Sequence, residues 1–115
     1  MNRQNLECVR GDTWARTVTF TLAEGTLDGA RVYMTIKSRQ TDLDEDAVAQ
    51  IDTEGGGVEI TGETTARVTL TAAVTALFGV KTYFYDVQVV LESGDVETAV
   101  MGDFVVVADA TRATE

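Results

Sequence analysis

Thr82-Tyr83-Phe84-Tyr85-Asp86-Val87-Gln88-Val89-Val90-Leu91 is followed by Glu92-Ser93-Gly94-Asp95 and then by an apolar-rich run from Val96 to Val107. Tyr83, Tyr85, Val87, Val89 and Leu91 fall on one side of an extended chain, with Phe84, Asp86, Gln88 and Val90 on the other. That period of two describes a strand with two unlike faces. The Ser-Gly-Asp turn between two such runs predicts a tight antiparallel hairpin. Gly102 interrupts the second run and is a candidate bulge.

The same alternation recurs upstream. Trp14, Val18, Phe20 and Leu22 alternate with Ala15, Thr17, Thr19 and Thr21, while Arg16 breaks the apolar side and is expected near a sheet edge. Val32, Met34 and Ile36 give another strand, as do Val68 and Leu70. Glu54-Gly55-Gly56-Gly57 separates Ala47–Ile51 from Val58–Ile60, and Thr61-Gly62-Glu63-Thr64 precedes the next strand. Ala72 to Phe78 alone reads as helical, opened by Thr71 as N-cap and stopped by Gly79. Thr and Val are the commonest residues, and both favour strands. These signals predict an all-β protein, an antiparallel β-sandwich of about seven or eight strands with one short helical turn near 72–78. No linker or repeat divides it, so residues 1–115 are expected to be one domain, with 1–5 and 111–115 as flexible or partner-ordered tails.

Composition narrows the chemistry. Nine Lys plus Arg against nineteen Asp plus Glu leave a net charge of −10, which argues against nucleic acid or an anionic membrane as partner. With no histidine, the commonest general base and transition-metal ligand is missing. Ser38 and Ser93 are the only serines and have no histidine to activate them. Cys8 is the single cysteine and alternates with Leu6, the placement of a small buried hydrophobe. Gly55-Gly56-Gly57 matches no phosphate-binding loop, and Asp86 is expected to be structural. Tyr83, Phe84 and Tyr85 lack the surrounding positive charge of a base-stacking platform. The expectation is a non-enzymatic protein with no catalytic residues, no cofactor and no metal.

Two short motifs invite a functional reading and are better explained otherwise. Asp42-Leu43-Asp44-Glu45-Asp46 begins like a calcium loop, but Ala47 stands where the loop needs glycine and Thr53 where it needs a bidentate glutamate. A solvated acidic loop is expected. Arg10-Gly11-Asp12 is the tripeptide that integrins bind, here placed between two strands behind a polar N-terminus without a secretory h-region. A structural turn is expected, with Gly11 supplying an unusual backbone angle and Asp12 capping the amides after it.

The order of motifs resembles a known family. Arg10-Gly11-Asp12-Thr13-Trp14 comes first, then Leu27-Asp28-Gly29-Ala30-Arg31-Val32, then Val58-Glu59-Ile60 and Ala66-Arg67-Val68-Thr69-Leu70-Thr71. Thr82-Tyr83-Phe84-Tyr85-Asp86-Val87-Gln88, Gly102-Asp103-Phe104-Val105-Val106 and Thr111-Arg112 complete it. The set resembles the small immunoglobulin-like domain of tailed-phage and prophage virion proteins, and is similar to the N-terminal domain of siphophage upper baseplate proteins. It departs from them by lacking their long C-terminal extension, and Phe78-Gly79-Val80-Lys81 stands where relatives often carry a proline. The resemblance implies an immunoglobulin-like sandwich in a virion structural protein made in the host bacterial cytoplasm. It would act as an adaptor on the tail or baseplate, in multiple symmetric copies, with other virion proteins as partners. Capsid decoration is the first alternative. The second is a carbohydrate-binding module using exposed Trp14 or tyrosine rings. The termini, the 38–57 region and the last strand as a sheet edge are the expected contact elements.

Overall fold

The long hairpin forms as the alternation requires. In the computed structural model, which describes residues 2–22, 25–39 and 48–108, Thr82–Val90 pairs antiparallel with Val96–Val107. The Leu91 N–H donates to the Asp95 carbonyl at 2.8 Å to close the turn. Gly94 takes a φ of +96° there, a conformation that side chains resist. Among the described residues the elements run β1 (Asn2–Arg3), β2 (Leu6–Val9), β3 (Trp14–Thr19), β4 (Arg31–Lys37), β5 (Ala49–Asp52), β6 (Val58–Ile60), β7 (Thr65–Leu70), α1 (Ala72–Thr75), β8 (Thr82–Val90) and β9 (Val96–Val107).

These strands form an all-β sandwich of two sheets. One sheet has the order β1-β9-β8-β4-β5, with β2 also lying along the outer side of β9; the other has the order β3-β7-β6. The inward residues of the two sheets meet in one apolar cluster that includes Val32, Met34, Val68, Leu70, Val87, Val89 and Phe104, all within 1% of complete burial. Tyr83 adds a feature of immunoglobulin-like sandwiches. Its hydroxyl accepts the Gly79 N–H at 2.8 Å, tying the start of β8 back to the corner before it. Two residues further on, where antibody domains carry a bridging cysteine, this chain has Tyr85. An aromatic contact stands in for the covalent link between the sheets: Phe104 meets Trp14 of β3 edge to face at 5.2 Å, and Tyr85 of its own sheet packs on it at 6.4 Å.

The first strands depart from expectation. β2 runs parallel to β9, with Leu6 opposite Phe104 and Val9 opposite Val107, so the sandwich is not wholly antiparallel. Residues 2–5 are no free tail: β1 pairs with β9, and the Gln4 N–H donates to the Met101 carbonyl at 2.9 Å. The Tyr85 hydroxyl donates to the Gln4 carbonyl at 2.6 Å. With strands on both sides, β9 is also no sheet edge.

The bulge lies elsewhere than predicted. Val87 faces Val100 and Gln88 faces Thr98, which leaves Ala99 unopposed. Ala99 and Val100 are consecutive and both fully buried, so the bulge switches which parity of β9 points inward. Gly102 sits in regular register opposite Tyr85. A Cβ there would collide with the Gln4 carbonyl, so glycine is what lets the kink between β1 and β2 lie against the sheet. The helix is also shorter than its pattern suggests, ending its regular part at Thr75. Thr71 caps it as expected by accepting the Val74 N–H. Turn-like bonds from Leu77 and Phe78 carry the chain on to bury Phe78. The predicted tail 111–115 and the acidic segment 42–46 lie outside the described residues.

Replacing Gly102 with alanine is expected to lift the N-terminal strand off β9, at a cost of about 1–3 kcal/mol. Denaturant unfolding gives the cost, and amide exchange at Leu6 to Val9 is expected to accelerate more than exchange in β7.

Candidate functional site

Arg10-Gly11-Asp12 is built into the fold. Gly11 takes a φ of +86°, as the turn reading requires. Thr75, fully buried on α1, fastens the turn: its hydroxyl accepts the Gly11 N–H at 3.1 Å and donates to the Asp12 carbonyl at 2.7 Å. The turn is thus held by Thr75 and by the Asp12 N–H to the Val9 carbonyl, where capping by the Asp12 carboxylate was expected. Arg10 is half-buried, and its Nε–H donates to the Phe78 carbonyl at 3.1 Å. A tripeptide whose arginine is spent on the fold's own backbone is not displayed for an integrin. Thr75→Val keeps the shape and leaves the Gly11 N–H and Asp12 carbonyl unpaired. Chemical denaturation is expected to show a loss of about 1–3 kcal/mol.

The thiol of Cys8 and the hydroxyl of Tyr85 are buried. Cys8 is 2% exposed; burial chiefly, with Asp12 adding and Arg16 opposing, pushes its thiol up to about 11. Tyr85 is 1% exposed, and burial, opposed by Arg3, pushes its hydroxyl up to about 12. Ser93 is exposed in the β8–β9 turn, and Asp86 is half-buried on the outer side of its sheet, opposite Met101 and Thr35. Among the described residues no group of His, Cys, Asp and Glu is placed to hold a metal, and every buried side-chain polar atom has a hydrogen-bond partner. The 42–46 segment, the calcium candidate, is outside them.

Among the described residues, two places stand out where another molecule can be met. The first is a cavity of about 350 Å³ at the end of the sandwich, between the β3–β4 connection and the β8–β9 turn. Gly25, Thr26, Asp28, Leu91, Glu92 and Asp95 line it. Glu92 packs across Gly29, where a Cβ would come within 2.9 Å of its Oε2. Three of the lining side chains, Asp28, Glu92 and Asp95, are carboxylates, and all are exposed to water. Sequence reasoning missed this cavity, because its walls come from two turns more than sixty residues apart.

The second place is the outer face of the larger sheet. Register brings Lys37, Phe84 and Asp103 into one row, Thr35, Asp86 and Met101 into the next, and Tyr33 and Gln88 into a third. Tyr33, Phe84, Val90, Met101, Val105 and Val107 are half-buried there, between charged neighbours. Thr35 is nearly covered and accepts from Gln50 Nε2 at 3.0 Å. Of the rings proposed for sugar stacking, Trp14, Tyr83 and Tyr85 are inside, at 4%, 6% and 1% exposed, and Tyr33 alone lies on this outer face, half-buried. Of the contact elements expected from sequence, β5 within the 38–57 region is the end strand of its sheet among the described residues, whereas β9 is not.

No family model and no curated protein matches this chain. Solved structures do. A candidate glycoside hydrolase from Bacteroides vulgatus is similar at a TM-score of 0.50 and 13% identity, over 93% of this chain. The chain spans 17% of the length of that protein. The extracellular domain of the voltage-gated sodium channel beta4 subunit, a parallel homodimer in cell-cell adhesion, is similar at a TM-score of 0.44 and 12% identity, over 95% of this chain and 94% of that one. At 13% identity the likeness to the first extends to the fold and no further.

The buried tyrosine sets an alkaline limit. An unfolded tyrosine ionises near pH 10 while folded Tyr85 keeps its proton to about 12. The unfolded state therefore binds fewer protons between those values, and stability falls as pH rises through them. Between pH 9 and 11 the expected loss is about 1 kcal/mol. Urea unfolding of wild type and Tyr85→Phe at pH 9 and 11 measures it, with a visibly flatter pH dependence in the variant.

Proposed function

We propose that this chain is a non-enzymatic structural protein of a tailed-phage virion, a small adaptor that docks on the tail or baseplate by protein–protein contacts. The observation that carries the docking role is the outer face of the larger sheet. Half-buried Tyr33, Phe84, Val90, Met101, Val105 and Val107 are interleaved there with charges of both signs. A patch of apolar centres with charged neighbours is how non-obligate interfaces are built. The virion setting is supported by the ordered motifs from Arg10 to Arg112 and their resemblance to baseplate-type domains. An excess of ten negative charges keeps free copies apart before assembly and favours a basic partner surface. Repetition on a symmetric particle lets modest contacts sum.

A carbohydrate-binding module has less support, since Trp14, Tyr83 and Tyr85 belong to the core and only Tyr33 of its candidate rings reaches the surface. Capsid decoration would use the same kind of face.

Tagging the chain in assembled particles and locating the tag by electron microscopy tests the proposal. Regular density at the tail or baseplate is expected; density on heads selects capsid decoration, and particles devoid of the chain end the virion reading. Phe84→Glu is expected to cut incorporation by about tenfold or more while the melting temperature stays near wild type.

A further inference from the structure

β3 is the outer strand of the smaller sheet, and no described strand pairs with its far side. Its hydrogen-bond phase follows from its continuation. The Phe20 N–H donates to the Thr64 carbonyl at 2.7 Å, and the pairing from Trp14↔Leu70 to Thr19↔Thr65 is unbroken. Even-numbered residues therefore point their N–H and C=O at β7, while Ala15, Thr17 and Thr19 point theirs outward. Such an edge, rich in β-branched residues, is a template for a further strand.

The segment suits a second copy of itself. Antiparallel pairing about Thr17 would set Thr17 against Thr17 and Ala15 against Thr19, using every outward group in a two-fold arrangement. The same register sets Arg16 against Val18 on the core side. Arg16 shares that side with Trp14 and Val18, which are 4% and 3% exposed, yet Arg16 itself is exposed. Its side chain turns out around the strand. The guanidinium lies 5.4 Å from the centre of the Trp14 ring, and Nη1 donates to the Ala15 carbonyl at 2.9 Å. It thus occupies an outward acceptor that an incoming strand needs, and pairing would bury its charge against an apolar neighbour.

We propose that Arg16 is an edge guard, which keeps copies of this chain from joining through β3 by capping the Ala15 carbonyl and placing a charge in the core-side row of the junction. Assembly contacts are thereby left to other surfaces. Arg16→Val removes both obstacles, and Arg67→Val removes one charge from β7, the central strand of the same sheet. Sedimentation velocity and amide exchange over a range of protein concentrations compare these variants with wild type. Arg16→Val is expected to self-associate at least about tenfold more tightly. The amides of Ala15, Thr17 and Thr19 should gain protection as concentration rises, with no such gain in wild type or Arg67→Val. Absence of that gain in Arg16→Val overturns the proposal. So does equal association by Arg67→Val, or concentration-dependent protection of these amides in wild type. If the valine variant loses its native circular dichroism, Arg16→Thr, which keeps a polar edge, takes its place with the same expected gain, and absence of the gain there overturns the proposal equally.

Discussion

The ring of Phe104 is the point through which the parts of this molecule are held together. It is fully buried on β9 and meets Trp14 of the opposite sheet, Phe78 of the β7–β8 crossover and Tyr85 of the neighbouring strand. Each partner then commits another element. The Trp14 indole donates to the Glu7 carbonyl at 2.9 Å, bringing β2 and β3 together at the first turn. The Phe78 carbonyl accepts from Arg10, and its ring packs on Tyr83, whose hydroxyl holds the corner. Tyr85 reaches Gln4 and so fixes the entry of the N-terminal strand. A sandwich with one cysteine cannot join its sheets covalently, and this network of edge-to-face rings takes on that task.

What the sequence made legible is what short-range physics governs. The 82–107 hairpin, the Trp14 strand, the Thr71 cap and the turn at Gly11 each follow from residues within a few positions of one another, and each forms. Arg16 was legible as an edge residue because a charge on the apolar side of a strand has few other places to go. The failures share a cause. Leu6 to Val9 has the pattern of a strand, but nothing local says which strand it joins or in which direction. Gly102 carries the usual mark of a bulge, yet it answers a backbone contact with Gln4 at the other end of the chain. The real bulge, at Ala99, has no local mark except two adjacent apolar residues. The rings of Trp14, Tyr83 and Tyr85 follow the strand pattern, but a sugar-binding use required them on the surface.

The candidate site was less legible than the fold for a related reason. A catalytic centre announces itself by residue type, and this chain, without histidine, offers few such types. A docking face is made of ordinary residues whose only distinction is that the sheet places them side by side. Tyr33, Gln88 and Asp52 become neighbours only after three strands have found their register. The cavity between Asp28 and Glu92 is likewise a product of tertiary structure. Charge counts have no means of locating a surface.

The direction of β2 decides how a pull on the chain would be borne. β2 and β9 lie side by side and run the same way, so the chain enters the pair at one end of the sandwich and leaves it at the other. A pull between the two ends of the described chain slides these strands past each other lengthwise, loading the rungs from Leu6–Phe104 to Val9–Val107 all at once. An antiparallel neighbour at that position would instead peel apart one rung at a time. Shear of this kind loads several backbone hydrogen bonds together, so the parallel pairing sets the described ends of the chain against the most resistant direction of the sheet.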